Sequence, residues 1–277
     1  MTPTQIMVNG LPGNVAIKMA THARAHDRFQ LLPWSLTGPD VDSETLDLDN
    51  FSIALIRPEL ADSQLGQIKA DHDPLIIDYT HPSAVNQNAE LYVKHGIPFV
   101  MGTTGGDRKA LVDTVTQGDT PAVIAPNMMK QIVGLMAMFE YGATHFPDLF
   151  KGFTMRVKES HQKGKADTSG TAKAMISYFN QMGIDFSTEE IMLERDPERQ
   201  KNLWDIPDEH LGGHGYHTYS ISAGDESSFF EITHNINGRD VYVPGTYDAV
   251  DFLINKLNDP ENRTGHVYTM IDVLKKN

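Results

Sequence analysis

A strand, a glycine turn and a helix open this chain, and that succession constrains its fold more than any other feature. Gln5-Ile6-Met7-Val8-Asn9 reads as a short buried strand, followed by Gly10-Leu11-Pro12-Gly13-Asn14-Val15-Ala16 and a helix to about His26. This is the order of a dinucleotide-binding unit. Gly10 permits the tight turn, Gly13 lets backbone approach a pyrophosphate, and Ala16 keeps helix and strand close. The spacing is Gly-x-x-Gly-x-x-Ala in place of the commoner Gly-x-Gly-x-x-Gly. Alone, such a turn also serves topology, so the rest of the chain has to decide.

The alternation continues. A strand is expected over Gln30–Leu36, with Ser35 and Thr37 at its end as candidate contacts to an adenosine ribose. No Asp or Glu stands there to grip a ribose 2′-hydroxyl, which favours NADPH and leaves NADH open. Leu75–Tyr79, Pro98–Met101 and Ala122–Ala125 read as further strands. Helices are expected from Pro82 towards His95 and over Ile132–Phe146, with the Met and Phe residues of Met128–Phe146 as core. The fold class is therefore α/β: an N-terminal Rossmann-like dinucleotide-binding domain on a parallel sheet with helices on both faces. Ligands bind at the carboxyl ends of such strands, so the turns at Gly10, Gly102–Thr104 and Ala125–Asn127 should share one edge.

After Gly152 the pattern changes to α+β on an open mixed sheet. Phe153–Glu159, Tyr216–Ser222, Phe229–His234 and Val241–Val243 read as strands, with turns such as Asn237-Gly238. Helical Tyr247–Asn258, a Pro260-Asn262 turn and a final segment, Val267–Leu274, are expected to pack back on the first domain. The expected division is 1–129 plus 247–277 for the dinucleotide domain and 130–246 for a substrate-binding and oligomerisation domain. Asp196–Glu209 reads as a flexible excursion.

The chemically richest stretch is Glu159-Ser160-His161-Gln162-Lys163-Gly164-Lys165-Ala166-Asp167-Thr168-Ser169-Gly170-Thr171-Ala172. Ser169 or Thr168 is a natural N-cap for a helix whose apolar positions are Ala172, Met175, Ile176 and Phe179. Free N–H groups and hydroxyls at such a terminus suit a carboxylate or phosphate. Six Lys or Arg against two acids between Lys151 and Lys173 form a basic island on a chain of net charge −14. Such an island suits a small polyanionic substrate. A solvated loop before an ordinarily capped helix is the plain alternative.

Composition narrows the rest. The acidic balance argues against nucleic acid as a partner. No apolar run approaches the roughly 20 residues that span a bilayer, and no signal-peptide pattern opens the chain. Zero cysteines exclude thiol nucleophiles, disulfides, iron–sulfur clusters, Cys-ligated zinc and a thioester-forming dehydrogenase. His210, His214 and His217 read as loop and strand histidines, not a metal set. Glycines at 212, 213 and 215 break any helix that would align them, and no carboxylate completes the set.

Glu159–Ala172 resembles the signature of the dihydrodipicolinate reductase family, and the likeness runs over nearly the whole chain. Asp78-Tyr79-Thr80-His81-Pro82, Gly102-Thr103-Thr104-Gly105, Ala125-Pro126-Asn127 and Phe230-Glu231-Ile232-Thr233-His234 with Arg239 and Gly245 all fall on family segments. Glu159-Ser160-His161-Gln162 is closer to the plant and cyanobacterial branch, Gln162 standing where the common bacterial pattern has a second histidine. The proline before the bacterial Ser-Gly-Thr is also missing. Asn14 and Val15 replace a basic residue and a methionine, and Ala16 replaces a glycine.

The resemblance implies His161 and Lys165 as the proton-transfer pair, and Ser169, Gly170 and Thr171 as the turn that binds a substrate carboxylate. Gln162, and Thr104 from the cofactor side, add to substrate binding. Gly10, Leu11, Pro12, Gly13, Asn14 and Val15, then Gly102, Thr103 and Thr104, then Ala125, Pro126, Asn127 and Met128 match the nicotinamide-cofactor loops. The implied reaction passes hydride from NADPH, or NADH, to a cyclic imine carrying two carboxylates in lysine and diaminopimelate synthesis. Lys165 is the better proton donor, with His161 orienting substrate or sharing the transfer. A small dicarboxylate substrate, a homodimer or homotetramer, and a cytoplasmic setting (plastid if a transit peptide was trimmed) are expected. Two rivals stand beside this: another NAD(P)-dependent reductase of an anionic imine or carbonyl, and a non-catalytic nucleotide sensor on the same fold.

Overall fold

The computed structural model describes residues 2–165, 167–259 and 265–275. Ala166 and the expected Pro260-Asn262 turn lie outside them. The chain divides into two compact units, Met1–Lys130 with Tyr242–Asn277, and Gln131–Val241. Among the described residues no helix is long and apolar enough to cross a membrane.

The first unit runs β1 (Thr4–Asn9), α1 (Asn14–Arg24), β2 (Phe29–Leu31), β3 (Trp34–Leu36), β4 (Thr45–Leu48), β5 (Phe51–Ile56), α2 (Ala61–Asp71), β6 (Leu75–Asp78), α3 (Val85–Lys94), β7 (Phe99–Met101), α4 (Arg108–Gln117) and β8 (Ala122–Ile124). The second holds nearly all of α5 (Lys130–His145), then β9 (Phe153–His161), α6 (Gly170–Gln181), β10 (Met192–Glu194), α7 (Pro197–Trp204), β11 (His214–Ala223) and β12 (Phe229–Asn237). The chain returns to the first unit through α8 (Tyr242–Asn258), β13 (Val267–Tyr268) and α9 (Met270–Leu274).

In the first unit a six-stranded sheet in the order β13-β8-β7-β6-β1-β2 is parallel throughout. The strands β6, β7 and β8 are buried at every position. That is the mark of a sheet covered on both faces, and it explains why these strands read as continuous apolar runs. The C-terminal segment joins as β13 on β8. The expected strand Gln30–Leu36 is two strands. Pro33 carries no backbone N–H to continue a ladder; β2 stays in the parallel sheet while β3 leaves for a separate sheet, β3-β5-β4. The β4–β5 hairpin turns on Asp49 and Asn50, both at positive φ.

In the second unit the sheet order is β10-β9-β11-β12, with β10 parallel to β9 and the rest antiparallel. Met155, Val157, Tyr219 and Ile221 on one face pack with Ala172, Met175, Ile176 and Phe179 of α6. Further along the same face the alternation continues as Glu159, then His161, on β9, opposite His217 and Gly215 on β11. The face thus passes from an apolar core to a cluster of titratable groups within one strand. Arg156 and Lys158 fall on the opposite, exposed face, so the basic island does not converge on one point.

Three further expectations are corrected. Val241–Val243 is no strand but leads into α8, where Val243, Thr246, Tyr247 and Val250 are buried at helical spacing. Asp196–Glu209 is no loose excursion: Asp196 accepts the Arg199 N–H as N-cap, Pro197 opens the helix, and Gln200 of α7 is buried. The Met and Phe residues of α5 are not uniformly core. Met138 is 66% exposed, Phe146 just beyond the helix is 51% exposed, and within α5 Ile132 and Ala143 are the buried residues.

Candidate active site

In the first unit the candidate residues gather at the carboxyl edge of the parallel sheet. Gly10 has φ +106°, and a Cβ there would stand 2.3 Å from the Tyr79 carbonyl oxygen. Its N–H donates to Leu36 O, and Gly13 N–H donates to Gly10 O, closing the turn. A Cβ on Gly13 would meet that same oxygen at 2.7 Å. Ala16 is fully buried. The N-terminus of α1 has no side-chain cap and no acidic residue in its first turn, which leaves its N–H groups and dipole for an anion. These features fit a dinucleotide pyrophosphate.

Ser35 and Thr37 depart from their expected role. Both are buried; Ser35 Oγ accepts the Leu11 N–H at 3.3 Å, and Thr37 Oγ1 donates to Leu11 O at 2.6 Å. Their hydroxyls hold the glycine turn from beneath and are not presented to a ribose.

The neighbouring turns are braced by a buried carboxylate that the sequence reading missed. Asp78, fully buried, accepts from Thr80 N–H and Oγ1, Asn88, Tyr92 and Thr103. Thr103 is thereby a brace, and Thr104 beside it is exposed. A Cβ on Gly102 would stand 2.4 Å from the Tyr79 ring. Ala125 N–H donates to Met101 O, and Asn127 Oδ1 accepts the Met129 N–H. Met128 is buried, its carbonyl pressed so close to Gly245 that no Cβ fits there.

In the second unit a separate cluster is centred on Glu159, whose side chain is fully buried. Oε1 accepts from Arg195 Nη2 at 2.6 Å, and Oε2 accepts the Ser169 N–H at 2.9 Å. His161 Nε2 stands 4.0 Å from Oε1, and His217 Nε2 stands 3.4 Å from Oε2. Burial alone would raise the Glu159 pKa, but His217, the Ser169 N–H, Arg195 and His161 outweigh it and hold the carboxyl at about 2.

His161 ends β9, with Nδ1 2.8 Å from His214 O. A carbonyl only accepts, so Nδ1 carries the proton and Nε2 the lone pair. Burial first, then the nearby His217 and Lys165, lower the imidazole to about 4 against the pull of Glu159 and the His214 carbonyl. His161 is therefore neutral at physiological pH. Lys165 follows a turn in which its N–H donates to Gln162 O; its Nζ donates to exposed Asp167 at 2.6 Å.

α6 begins at Gly170 with Ser169 in the N-cap position but without a side-chain cap. The N–H groups of Gly170 and Thr171 have no intrahelical acceptor and suit a carboxylate. The motif is tied down by residues that sequence reading did not single out. Arg195 Nε donates to Lys165 O at 3.0 Å, and Gln200 Nε2 donates to His161 O at 2.7 Å. Asp196-Pro197 is a helix-start signal that could have found α7, but nothing in it gives the contact from Gln200 to His161. Glu159 and His217, by contrast, meet only through strand register. The expectation that no carboxylate stands beside the histidines thus fails for His217.

The N-terminal family model of dihydrodipicolinate reductase matches residues 4–128, and the C-terminal one residues 132–274. The chloroplastic 4-hydroxy-tetrahydrodipicolinate reductase 1 of Arabidopsis thaliana is 42% identical over 98% of this chain and 78% of its own length. A probable chloroplastic counterpart from Oryza sativa subsp. japonica shows the same 42% identity, with 98% of this chain and 78% of the relative covered. In fold, the chain resembles a dipicolinate-bound dihydrodipicolinate reductase from Paenisporosarcina sp. TG-14, with a TM-score of 0.64 at 15% identity over 96% of this chain and 97% of that one. On the two matched models and the near full-length relatives, the chain belongs to the dihydrodipicolinate reductase family.

Proposed function

We infer that this chain is a 4-hydroxy-tetrahydrodipicolinate reductase, an oxidoreductase of lysine and diaminopimelate synthesis that uses a nicotinamide dinucleotide. The observation that carries this reading is the second-unit motif: a neutral imidazole at the end of β9, a lysine ammonium and the open N-terminus of α6 follow one another in one short stretch of chain. When bound, the dinucleotide supplies hydride to the ring carbon of the cyclic imine. The chain's residues do the rest. Gly10, Gly13 and the α1 N-terminus hold the pyrophosphate, and the Gly102–Thr104 and Ala125–Met128 loops line the same edge. Gly170 and Thr171 N–H groups, with the Thr171 hydroxyl, grip a substrate carboxylate.

Negative charge builds on the substrate as hydride arrives, and Lys165 Nζ delivers the proton. His161 cannot donate that proton from Nε2 at neutral pH, because Nε2 holds a lone pair; it accepts from substrate and orients it. Glu159 and Arg195 hold the loop but do not touch substrate. The cofactor is NADPH, supported by the lack of any Asp or Glu from Phe29 to Gly38, the stretch that follows the first strand–turn–helix. A homodimer or homotetramer is supported by the open face of the β9–β12 sheet, where Arg156, Lys158 and Glu231 are exposed. The chloroplastic relatives support a plastid setting. A coupled assay with freshly generated 4-hydroxy-tetrahydrodipicolinate, run with NADPH and then NADH, tests the reading. Substrate-dependent oxidation of NADPH is the expected result, and none with either cofactor overturns it.

A further inference from the structure

We propose that Glu159, His161 and His217 form a binding site for a zinc-class divalent cation, through which such ions inhibit the enzyme. One carboxylate oxygen and two imidazole nitrogens, all from adjacent strands, lie within 4.8 Å of one another. Glu159 and His217 are direct cross-strand partners, and His161 is the next residue along the same face of β9. The donors therefore rest on a paired sheet and not on a loop.

Three features suit a cation. His217 is almost fully buried, and although Nε2 faces Glu159 Oε2 at 3.4 Å, neither ring nitrogen makes a well-aligned hydrogen bond among the described residues; His161 Nε2 likewise makes none. His161 donates its other ring N–H to the His214 carbonyl, the outer contact that typically fixes a metal-ligating imidazole. Glu159 keeps acceptor capacity beyond Arg195 Nη2 and the Ser169 N–H. Bonds of about 2.0–2.2 Å place tetrahedral donors about 3.3 Å apart. His217 Nε2 meets that spacing at 3.4 Å from Glu159 Oε2, and His161 Nε2 stands 4.0 Å from the other oxygen, Oε1, so a bound cation draws the donors inward from their 4.8 Å spread.

Two imidazoles and one carboxylate favour zinc, or cobalt as its spectroscopic substitute, over magnesium and calcium, which seek oxygen ligands. Bound there, the cation occupies the His161 lone pair. The inhibitory consequence rests on the reductase reading above; the binding does not.

Chelator-treated protein titrated with Co2+ tests the site directly. The expected result is a visible ligand-field absorption that saturates at one equivalent per chain, is bleached by Zn2+ and is untouched by Mg2+. His217→Gln and, separately, His161→Gln should each weaken Co2+ binding at least ~10-fold. Wild-type protein without the absorption, or two folded variants that keep the wild-type titration curve, would overturn the proposal. Zn2+ should slow NADPH oxidation in wild type at concentrations that bleach the cobalt spectrum, and inhibition at unrelated concentrations contradicts the regulatory part. A chain that shows the cobalt bands but never turns over in chelated buffer retains the cation site and loses the reductase reading. Turnover without the bands does the reverse.

Discussion

Arg195 Nη2 lies 2.6 Å from Glu159 Oε1, and the same guanidinium donates through Nε to the carbonyl of Lys165. One side chain thus neutralises the buried carboxylate and fixes the backbone of Lys165, the proposed proton donor. Arg195→Met should leave Glu159 buried without its cation and free the Lys165 turn. Breaking a buried pair from one side typically costs about 3–5 kcal/mol. Urea unfolding should show a loss of that order, and kcat should fall with it. An unchanged unfolding midpoint would mean that the pair contributes nothing to the fold.

Gly10→Ala addresses the other unit. The residue must adopt φ +106° with its Cβ 2.3 Å from a backbone oxygen, so the turn has to move. Backbone strain of this kind costs about 1–3 kcal/mol before the clash is counted. The expected outcome is a lower melting temperature and loss of NADPH binding by fluorescence titration. Wild-type affinity in the variant would show that the turn does not hold the dinucleotide.

The pH dependence of stability follows from three groups. His161 and His234 are held down to about 4 from 6.5, burial being the leading cause in both. Between those values the unfolded chain binds more protons, so stability present above pH 6.5 is lost as pH falls towards 4. Glu159, held at about 2 against an ordinary 4.5, adds a further loss between those values. All three act in one direction, and the urea midpoint should drop from pH 7 to pH 4. A midpoint constant across that range would contradict neutral burial of the two histidines.

Thr171→Val removes a hydroxyl at the α6 terminus while keeping its shape. The account expects a raised KM for the dicarboxylate substrate with kcat changed far less, read from steady-state kinetics. An unchanged KM counts against this terminus as the carboxylate grip.

How much of this was legible beforehand depended on distance along the chain. The parallel sheet was readable because β6, β7 and β8 are buried on both faces, and their apolar runs announce it. The β4–β5 hairpin carries its own signal, Asp49-Asn50 as a two-residue turn between two β-prone runs, though it stands outside the strand–helix alternation. Val241–Val243 misled because three residues cannot distinguish a period of 2 from 3.6; the burial of Thr246, Tyr247 and Val250 decides it. Lys165, His161 and the Ser169–Thr171 turn could be found because they are neighbours in sequence. Their supports could not, since Arg195, Gln200 and His217 reach Glu159 and His161 only once the strands have paired.

The central claim is that Lys165 delivers the proton while His161 stays neutral. It is tested most directly by kcat of Lys165→Ala with saturating NADPH and substrate, on protein shown to be folded by circular dichroism. The account predicts a loss of ~100-fold or more, the scale of a lost general acid; turnover near that of the unmodified chain would contradict it.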